Sequence, residues 1–156
     1  MVEETKRCRN LRRVLIFLFI VCGYLLSTTF AVDMVEYEGE EVVSYMTAIN
    51  LALGTLGGEV PVRTNKIAFI FFIIPLVGFF FMFFDKKSNV KNFVGLACGF
   101  LGVLSISFLI GGSIGIGAMI SIIMYFIIAV LSAFGVVLNI ADRKQVDNSP
   151  RLSKHE

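Results

Sequence analysis

The sequence predicts an all-α membrane protein with four transmembrane helices and one outer amphipathic helix at the membrane interface. Three observations predict this fold class. Hydrophobic residues make up 56% of the 156 residues, mean hydropathy is +0.83, and the charged residues are confined to segments between long apolar runs. This apolar content is well above that of an ordinary soluble domain. The chain therefore has room for one membrane domain and for no large soluble module.

The first span is predicted at residues 14–32, after a basic cytoplasmic arm at residues 1–13. The span contains 19 residues without a charge, and about 20 apolar residues cross a bilayer as a helix. A cleaved signal peptide is the alternative, because a basic start, an apolar core and Thr29-Phe30-Ala31 resemble a processing site. The membrane character of everything downstream favours the uncleaved span.

The outer segment is predicted at residues 33–66, the only sizeable polar stretch, and acidic residues cluster at its start. From Glu41 onward, apolar residues recur at the i, i+3, i+4, i+7 spacing of one helical face. A helix of about 16 residues with polar neighbours is too short to span, so we expect it to lie on the membrane surface or to cap the bundle. Its apolar face is the predicted interaction surface: Tyr45, Met46, Ile49, Leu53 and Leu56.

The second span is predicted at residues 67–84, an uncharged stretch of 18 residues that includes eight phenylalanines. Pro75 lies near its middle and lacks a backbone N–H, so a kink is expected there. A short basic loop that ends at residue 92 follows this span.

The remaining apolar run covers residues 93–141, 49 residues without a charged side chain. This length is too great for one span and suits two. Four glycines between residues 111 and 117 mark the turn, since helix is least favoured there. The spans are therefore placed at about 93–111 and 118–140, within a transmembrane domain at 14–141, and a polar cytoplasmic tail follows at 142–156.

The basic residues predict the orientation of the chain. Five Lys or Arg residues lie in the N-terminal arm, three in the loop after the second span and four in the tail, whereas the outer segment has two, Arg63 and Lys66. Cytoplasmic loops carry the excess of Lys and Arg. A four-span topology with both termini cytoplasmic, in the plasma membrane, satisfies this rule for every loop.

Small residues predict how the third and fourth spans pack. They form one stripe on each helix, and the first stripe contains a Gly-x-x-x-Gly spacing that lets helix backbones approach closely. The predicted packing residues are Gly95, Gly99, Gly102, Ser105, Ser121, Ala129 and Ser132. The spacing leaves open whether they pack within one chain or between copies.

Residues with catalytic or metal-binding patterns are not found in the sequence. The predicted spans contain no Asp, Glu, Lys, Arg or His, although enzymes and ion-coupled transporters usually keep an ionisable group at depth. No metal-ligand spacing, phosphate-binding loop or dinucleotide fingerprint occurs. We therefore predict no catalytic residue, metal, cofactor or nucleic-acid partner.

Three functions remain, of which the first is favoured. The chain is predicted to be a non-catalytic accessory, assembly or interaction subunit whose partners are the lipid bilayer and another membrane protein or further copies of itself. The alternative is an oligomeric pore, with the Ser, Tyr and Asn side chains of the fourth span facing a lumen. An enzyme or transporter for lipid-like substrates is the weakest reading, because no acid–base pair or Arg clamp stands near the interface.

Overall fold

The fold was analysed in a computed structural model that describes residues 6–54, 64–85, 88–110 and 113–147, with the side chains of 143–147 excluded. Most of these residues are helical, and a small antiparallel sheet is formed by the segments between helices. In chain order the elements are α1 (Lys6–Leu25), β1 (Thr29–Tyr37), β2 (Glu40–Thr47), α2 (Ala48–Leu53), a 3-10 turn (Lys66–Phe69), α3 (Ile70–Phe84), α4 (Val90–Leu109), β3 (Ser113–Ile114) and α5 (Ile116–Asp147).

Three helical segments of the described chain are long and apolar enough to cross a membrane: Lys66–Phe84, Val90–Leu109 and Ile116–Asp142. They coincide with the second, third and fourth predicted spans. The segment that includes α1 does not meet the same requirement, because five basic residues lie in its first eight positions. Four spans were predicted, and three are apolar enough by this measure.

The apolar run at residues 14–32 is divided between a helix and a strand, which corrects the predicted first span. α1 ends at Leu25, and β1 begins at Thr29. The hydroxyl of Ser27 donates to the carbonyl of Tyr24 (2.7 Å), and the hydroxyl of Thr28 donates to the carbonyl of Leu25 (2.6 Å). The same two carbonyls also accept hydrogen bonds from the backbone N–H groups of Ser27 (3.1 Å) and Thr28 (3.0 Å). The helix therefore ends in a hydrogen-bonded turn before the apolar run ends.

The predicted amphipathic helix from Glu41 to Leu56 is wrong, because β2 occupies residues Glu40–Thr47. Only the short helix α2 follows, and Leu56 lies outside the described residues. Val42, Val43, Tyr45 and Thr47 are the β-branched and aromatic residues that fit a pleated strand. Helix begins after Thr47, whose hydroxyl oxygen accepts a hydrogen bond from the backbone N–H of Asn50 (3.1 Å).

A two-residue turn joins β1 to β2. Glu38 and Gly39 have φ angles of +54° and +86°, and Tyr37 pairs with Glu40 across the turn. Positive φ at both central residues is the signature of the type I′ turn, whose twist matches that of a hairpin. Glycine adopts this conformation without steric cost, and glutamate does so rarely. The sequence signal was therefore weaker than an Asn-Gly turn would have given.

The third strand connects the sheet to the last two long helices. β3 pairs with β1 through Ala31↔Ile114 and Val32↔Ser113, so the strand order is β2-β1-β3. The N–H of Gly115 also donates to the carbonyl of Phe30 (3.0 Å). The connection between α4 and α5 was predicted as a glycine turn; its Gly111 and Gly112 lie outside the described residues, and Ser113–Ile114 is a strand.

The four long helices form a bundle in which α1 and α4 each pack against α3 and α5. Leu15, Phe19 and Cys22 of α1 are buried in its core together with Met82 and Ile128 of α3 and α5. The core continues into the sheet, where the ring of Phe30 lies 5.1 Å from that of Phe71 (centroid to centroid). The sheet and the bundle therefore share one hydrophobic core.

Gly39→Ala is expected to loosen the hairpin, because a left-handed conformation costs a residue with a Cβ about 1–2 kcal/mol. Cleavage of the detergent-solubilised protein by a glutamate-specific protease measures this opening. When cleavage follows the population of the open hairpin, the rate should rise at least about fivefold. Gly23→Ala is the control, since a Cβ there meets nothing within 4 Å. Equal rates for Gly39→Ala and the unmodified protein would contradict the turn assignment.

Candidate interaction surfaces

The predicted packing residues of the third and fourth spans are buried, and three contacts between α4 and α5 involve them: Gly95 with Ser132, Gly99 with Ala129 and Gly102 with Tyr125. A Cβ at Gly99 would lie 2.8 Å from the Cβ of Ala129 and 2.8 Å from the carbonyl oxygen of Tyr125. A Cβ at Gly102 would lie 2.5 Å from the Tyr125 ring. Both positions are tighter than a real Cβ tolerates, so only glycine permits this separation of the two backbones. We call this contact the glycine seam. Its buried residues are Gly95, Gly99 and Gly102 of α4 and Tyr125, Ala129 and Ser132 of α5, and the predicted residues Ser105 and Ser121 are buried one turn further along α4 and one turn before Tyr125 on α5.

The serine hydroxyl groups in and beside the seam are buried by helix packing. Ser105 donates to the carbonyl of Leu101 (2.6 Å), and Ser121 donates to the carbonyl of Gly117 (2.8 Å). The Ser132 hydroxyl is fully buried and has no hydrogen-bond partner among the described residues. A Cβ at Gly95 would clash with this Ser132 oxygen. Gly95 therefore turns a Cα–H toward this oxygen, a weak contact that recurs at close helix–helix interfaces.

A polar cluster closes the opposite end of the bundle from the sheet. The Asp85 carboxylate follows α3 and accepts hydrogen bonds from the backbone N–H groups of Ser88 (2.8 Å) and Lys91 (3.2 Å), and from the Ser88 hydroxyl. Lys91 is only 3% exposed. The Arg12 guanidinium of α1 donates to the carbonyl of Met82 (3.4 Å). The cluster thus connects α1, α3 and the start of α4.

Sequence reasoning missed this cluster because a charged loop between spans is normally solvated. Cys8 of α1 also donates to the carboxylate of Asp142 on α5 (3.5 Å). The sequence contained a signal for the Asp85 part of this cluster. An aspartate five residues before an apolar helix can accept hydrogen bonds from the free N–H groups of the first turn. The many local bonds indicate a structural role in fixing the helix ends.

A lateral groove lies between α1 and α3 on the outside of the bundle. Its volume is about 360 Å³. Every lining residue is apolar or glycine: Phe19, Ile20, Gly23, Leu26, Phe72, Pro75, Leu76 and Phe79. Such a lining offers no directional recognition, because no side chain in it donates or accepts a hydrogen bond.

The predicted interaction surface is divided in the structure. Tyr45 and Met46 are neighbours in β2 and point to opposite faces of the sheet, as strand geometry requires. Tyr45 is 68% exposed, whereas Met46 is 3% exposed and belongs to the core. Ile49 and Leu53 lie on α2, half-buried and exposed respectively. These residues do not form one surface, and Met46 cannot contact a partner.

A different apolar surface stands on the β1–β2 hairpin. Val32 pairs with Tyr45 and Met34 pairs with Val43, so all four side chains share one face. We call this the outer sheet face. Met34 is 73% exposed and Val43 is 43% exposed. The opposite face is covered, because Ala31, Ser44 and Met46 are buried there.

Acidic side chains border the outer sheet face at the hairpin tip. Glu36 and Glu41 are directly opposite each other in the register and share this face. Glu38 lies in the turn and Glu40 on the other face, and all four glutamates are exposed. Like charges at opposed positions of a sheet destabilise it. This arrangement therefore weakens the hairpin on its own.

Comparisons with known proteins give no further guide to these surfaces. No protein-family model, curated protein or solved structure matches the chain. Within the described residues, no group of three or more His, Cys, Asp or Glu side chains is arranged to hold a metal ion.

Gly99→Leu is expected to force α4 and α5 apart and to lower the thermal midpoint of the detergent-solubilised protein. Overpacking a close contact costs about 1–3 kcal/mol. Leu104→Ala is the control, because Leu104 lies on the same helix and is 49% exposed. Its midpoint should change much less. Equal midpoints for the two variants would show that the seam does not limit stability.

Proposed function

We propose that this chain is an integral membrane protein with four spans and that it serves as a non-catalytic accessory or assembly subunit of another membrane protein. α1 supplies the first span, in addition to the three helical segments that are apolar enough to cross a membrane. Its 20 residues extend about 30 Å, the thickness of a hydrocarbon core. The Lys and Arg side chains in its first turns have apolar stems that lie along the lipid, so their charged ends can reach the headgroups.

The outward surface of α1 supports this placement. Phe17, Ile20 and Tyr24 are 63%, 53% and 72% exposed, as expected for side chains that face lipid. The other side of α1 contributes fully buried residues to the core, including Leu15 and Phe19. This packing also favours an uncleaved first span, because removing it would expose the helices on which it packs.

The proposed orientation places both termini in the cytoplasm and the sheet outside the plasma membrane. Twelve of the fourteen Lys and Arg residues then lie on the cytoplasmic side, in agreement with the positive-inside rule. The acidic hairpin lies on the other side, where Lys66 is the one basic residue among the described outer positions.

One observation carries the accessory function: the polar groups of the spans are used in packing. Ser105 and Ser121 bond to their own helices, and Tyr125 packs over Gly102. No ionisable Asp, Glu, Lys, Arg or His lies in the middle of any of the four helices. Enzymes and ion-coupled transporters usually keep such a group at depth. What remains available for binding is the exposed surface, above all the outer sheet face.

The pore is the second candidate, and the geometry disfavours it. A lumen requires the Ser and Tyr stripe of α5 to face water or another copy, but Ser121, Tyr125 and Ser132 are buried within the chain. The lipid-substrate enzyme or transporter is weaker still, since the α1–α3 groove has no polar group to orient a substrate.

The topology is tested with single cysteines at Lys6 and Glu38 in a chain whose three native cysteines are replaced by alanine. An impermeant maleimide added to intact cells should label Glu38→Cys, and should label Lys6→Cys only after lysis. α1 is then a span, because these positions flank it. Labelling of both from outside would contradict the four-span arrangement, as would a mature chain that begins near Val32.

The function is tested by purification from native membranes in mild detergent, followed by reconstitution. We expect a stoichiometric membrane-protein partner to co-purify, and liposomes that contain the chain alone to retain a trapped dye and a potassium gradient. Gly99→Leu serves as the control, since disrupting the bundle should reduce co-purification. Leakage without any partner would favour the pore and overturn the accessory function.

A further inference from the structure

The outer sheet face differs in its surroundings from the exposed apolar surfaces of the long helices: it lies in water, whereas they face lipid in the proposed arrangement. Side chains such as Phe80 and Phe126 are exposed on helices that are apolar enough to span a membrane. Lipid is as apolar as these side chains, so their exposure provides no hydrophobic drive for association. The hairpin carries Asp33 and four glutamates, which are costly in lipid and place it in water. Burying Met34 and Tyr45 against another surface is therefore favourable.

The negative charge beside this face favours a partner surface that carries positive charge. Glu36 and Glu41 stand side by side at its end, and neither forms an ion pair with a described residue. A partner with Lys or Arg at the matching position would relieve their repulsion. An anionic lipid surface would increase it. A second copy of the chain would bring another acidic hairpin to the same region, with no basic residue in either hairpin to offset it.

The size of the face indicates where the partner resides. With its bordering glutamates the face spans five residues on each of two strands, 32–36 and 41–45, which cover about 160 Å² at a rise of ~3.3 Å and a strand spacing of ~4.8 Å. A stable interface between soluble proteins buries about 800 Å² on each side. The face alone is too small to hold a soluble protein. It suffices when both proteins are anchored in one membrane, because shared anchoring raises their effective concentration.

We propose that the outer sheet face docks against the outer segment of another protein of the same membrane, at a patch with an apolar centre and a rim of Lys or Arg. This inference rests on the proposed accessory function and names its docking surface and the chemistry of its partner. The hydrophobic centre provides affinity, and the acidic rim provides orientation and selectivity.

The test places a photo-crosslinking phenylalanine analogue at Met34 in the full chain and irradiates intact cells. The crosslinked peptide is identified by mass spectrometry. We expect it to come from a non-membrane segment of another membrane protein, with Lys or Arg within a few residues. The analogue at Leu53, which is exposed on α2 away from the face, should give far less of this adduct.

Charge reversal at adjacent positions provides the matched control. Glu41 borders the face, and Glu40 points to the opposite side of the same strand. Glu41→Lys should reduce the Met34 adduct about tenfold, whereas Glu40→Lys should change it less than about twofold. Raising the salt concentration from about 0.1 M to about 1 M should also reduce the adduct, because screening shortens the reach of exposed charges.

Each other outcome overturns the proposal. An adduct with lipid, with a second copy of this chain or with a partner segment that lacks basic residues would show the wrong partner chemistry. No adduct, or equal effects of Glu40→Lys and Glu41→Lys, would exclude this face as the docking site. If a partner still co-purifies in those cases, the accessory function stands and only the docking surface is wrong. If no partner co-purifies, both proposals fail.

Discussion

The close approach of α4 and α5 at Gly99 is the contact on which the rest of the bundle depends. Helices in lipid gain nothing from hiding apolar side chains from one another, so van der Waals packing and hydrogen bonds must hold them together. Glycines at 95, 99 and 102 allow that packing by removing the side chains that would separate the backbones. The Tyr125 ring then fills the space over Gly102, and α1 and α3 pack around the resulting pair.

Polar interactions fix the two ends of the bundle, where water can reach. On the sheet side, the pairing of β3 with β1 and the bond from Gly115 to Phe30 join the α4–α5 connection to the segment after α1. On the opposite side, Asp85 bonds the first turn of α4 and Arg12 reaches the last turn of α3. Between these ends, Gly95, Gly99 and Gly102 permit the close approach of α4 and α5, and Gly78 lets α3 approach the Phe19 ring of α1.

Sequence reasoning located the apolar spans at 67–84, 93–111 and 118–140, because mean hydropathy over about 20 residues does not depend on how a segment folds locally. It failed where two local structures compete. Val42, Ser44 and Met46 satisfy a strand period, while Val42, Tyr45, Met46 and Ile49 satisfy a helical one, and the turn at Glu38-Gly39 decided between them. α1 ends at Leu25, where the Ser27 and Thr28 hydroxyls bond to carbonyls of the last turn, and such local bonds are not visible in a hydropathy pattern.

Helical spacing in the sequence predicts which small residues share a helix face, but it does not predict contacts that depend on how loops and strands fold. The stripes of the seam residues were readable from helical spacing, and the structure places Gly95 against Ser132 and Gly99 against Ala129; their effect on stability stays a prediction. The buried position of Lys91 was not readable, since it depends on how the loop after α3 folds back. The outer sheet face was missed for the same reason, because it exists only after two strands pair in register.

Stability and recognition are assigned to different parts of this small chain: the bundle provides stability, and the hairpin is the proposed recognition surface. The glycine seam and the polar ends make a bundle that requires no partner to bury its polar groups, so the span surfaces carry little information for recognition. The hairpin bears two unfavourable features instead: exposed apolar side chains in water and opposed glutamates on one face. Each feature costs the isolated chain stability, and each would become favourable against a basic-rimmed apolar surface. Under the proposed function, one membrane would confine both proteins, so such a contact could be small and reversible and still select one partner among many.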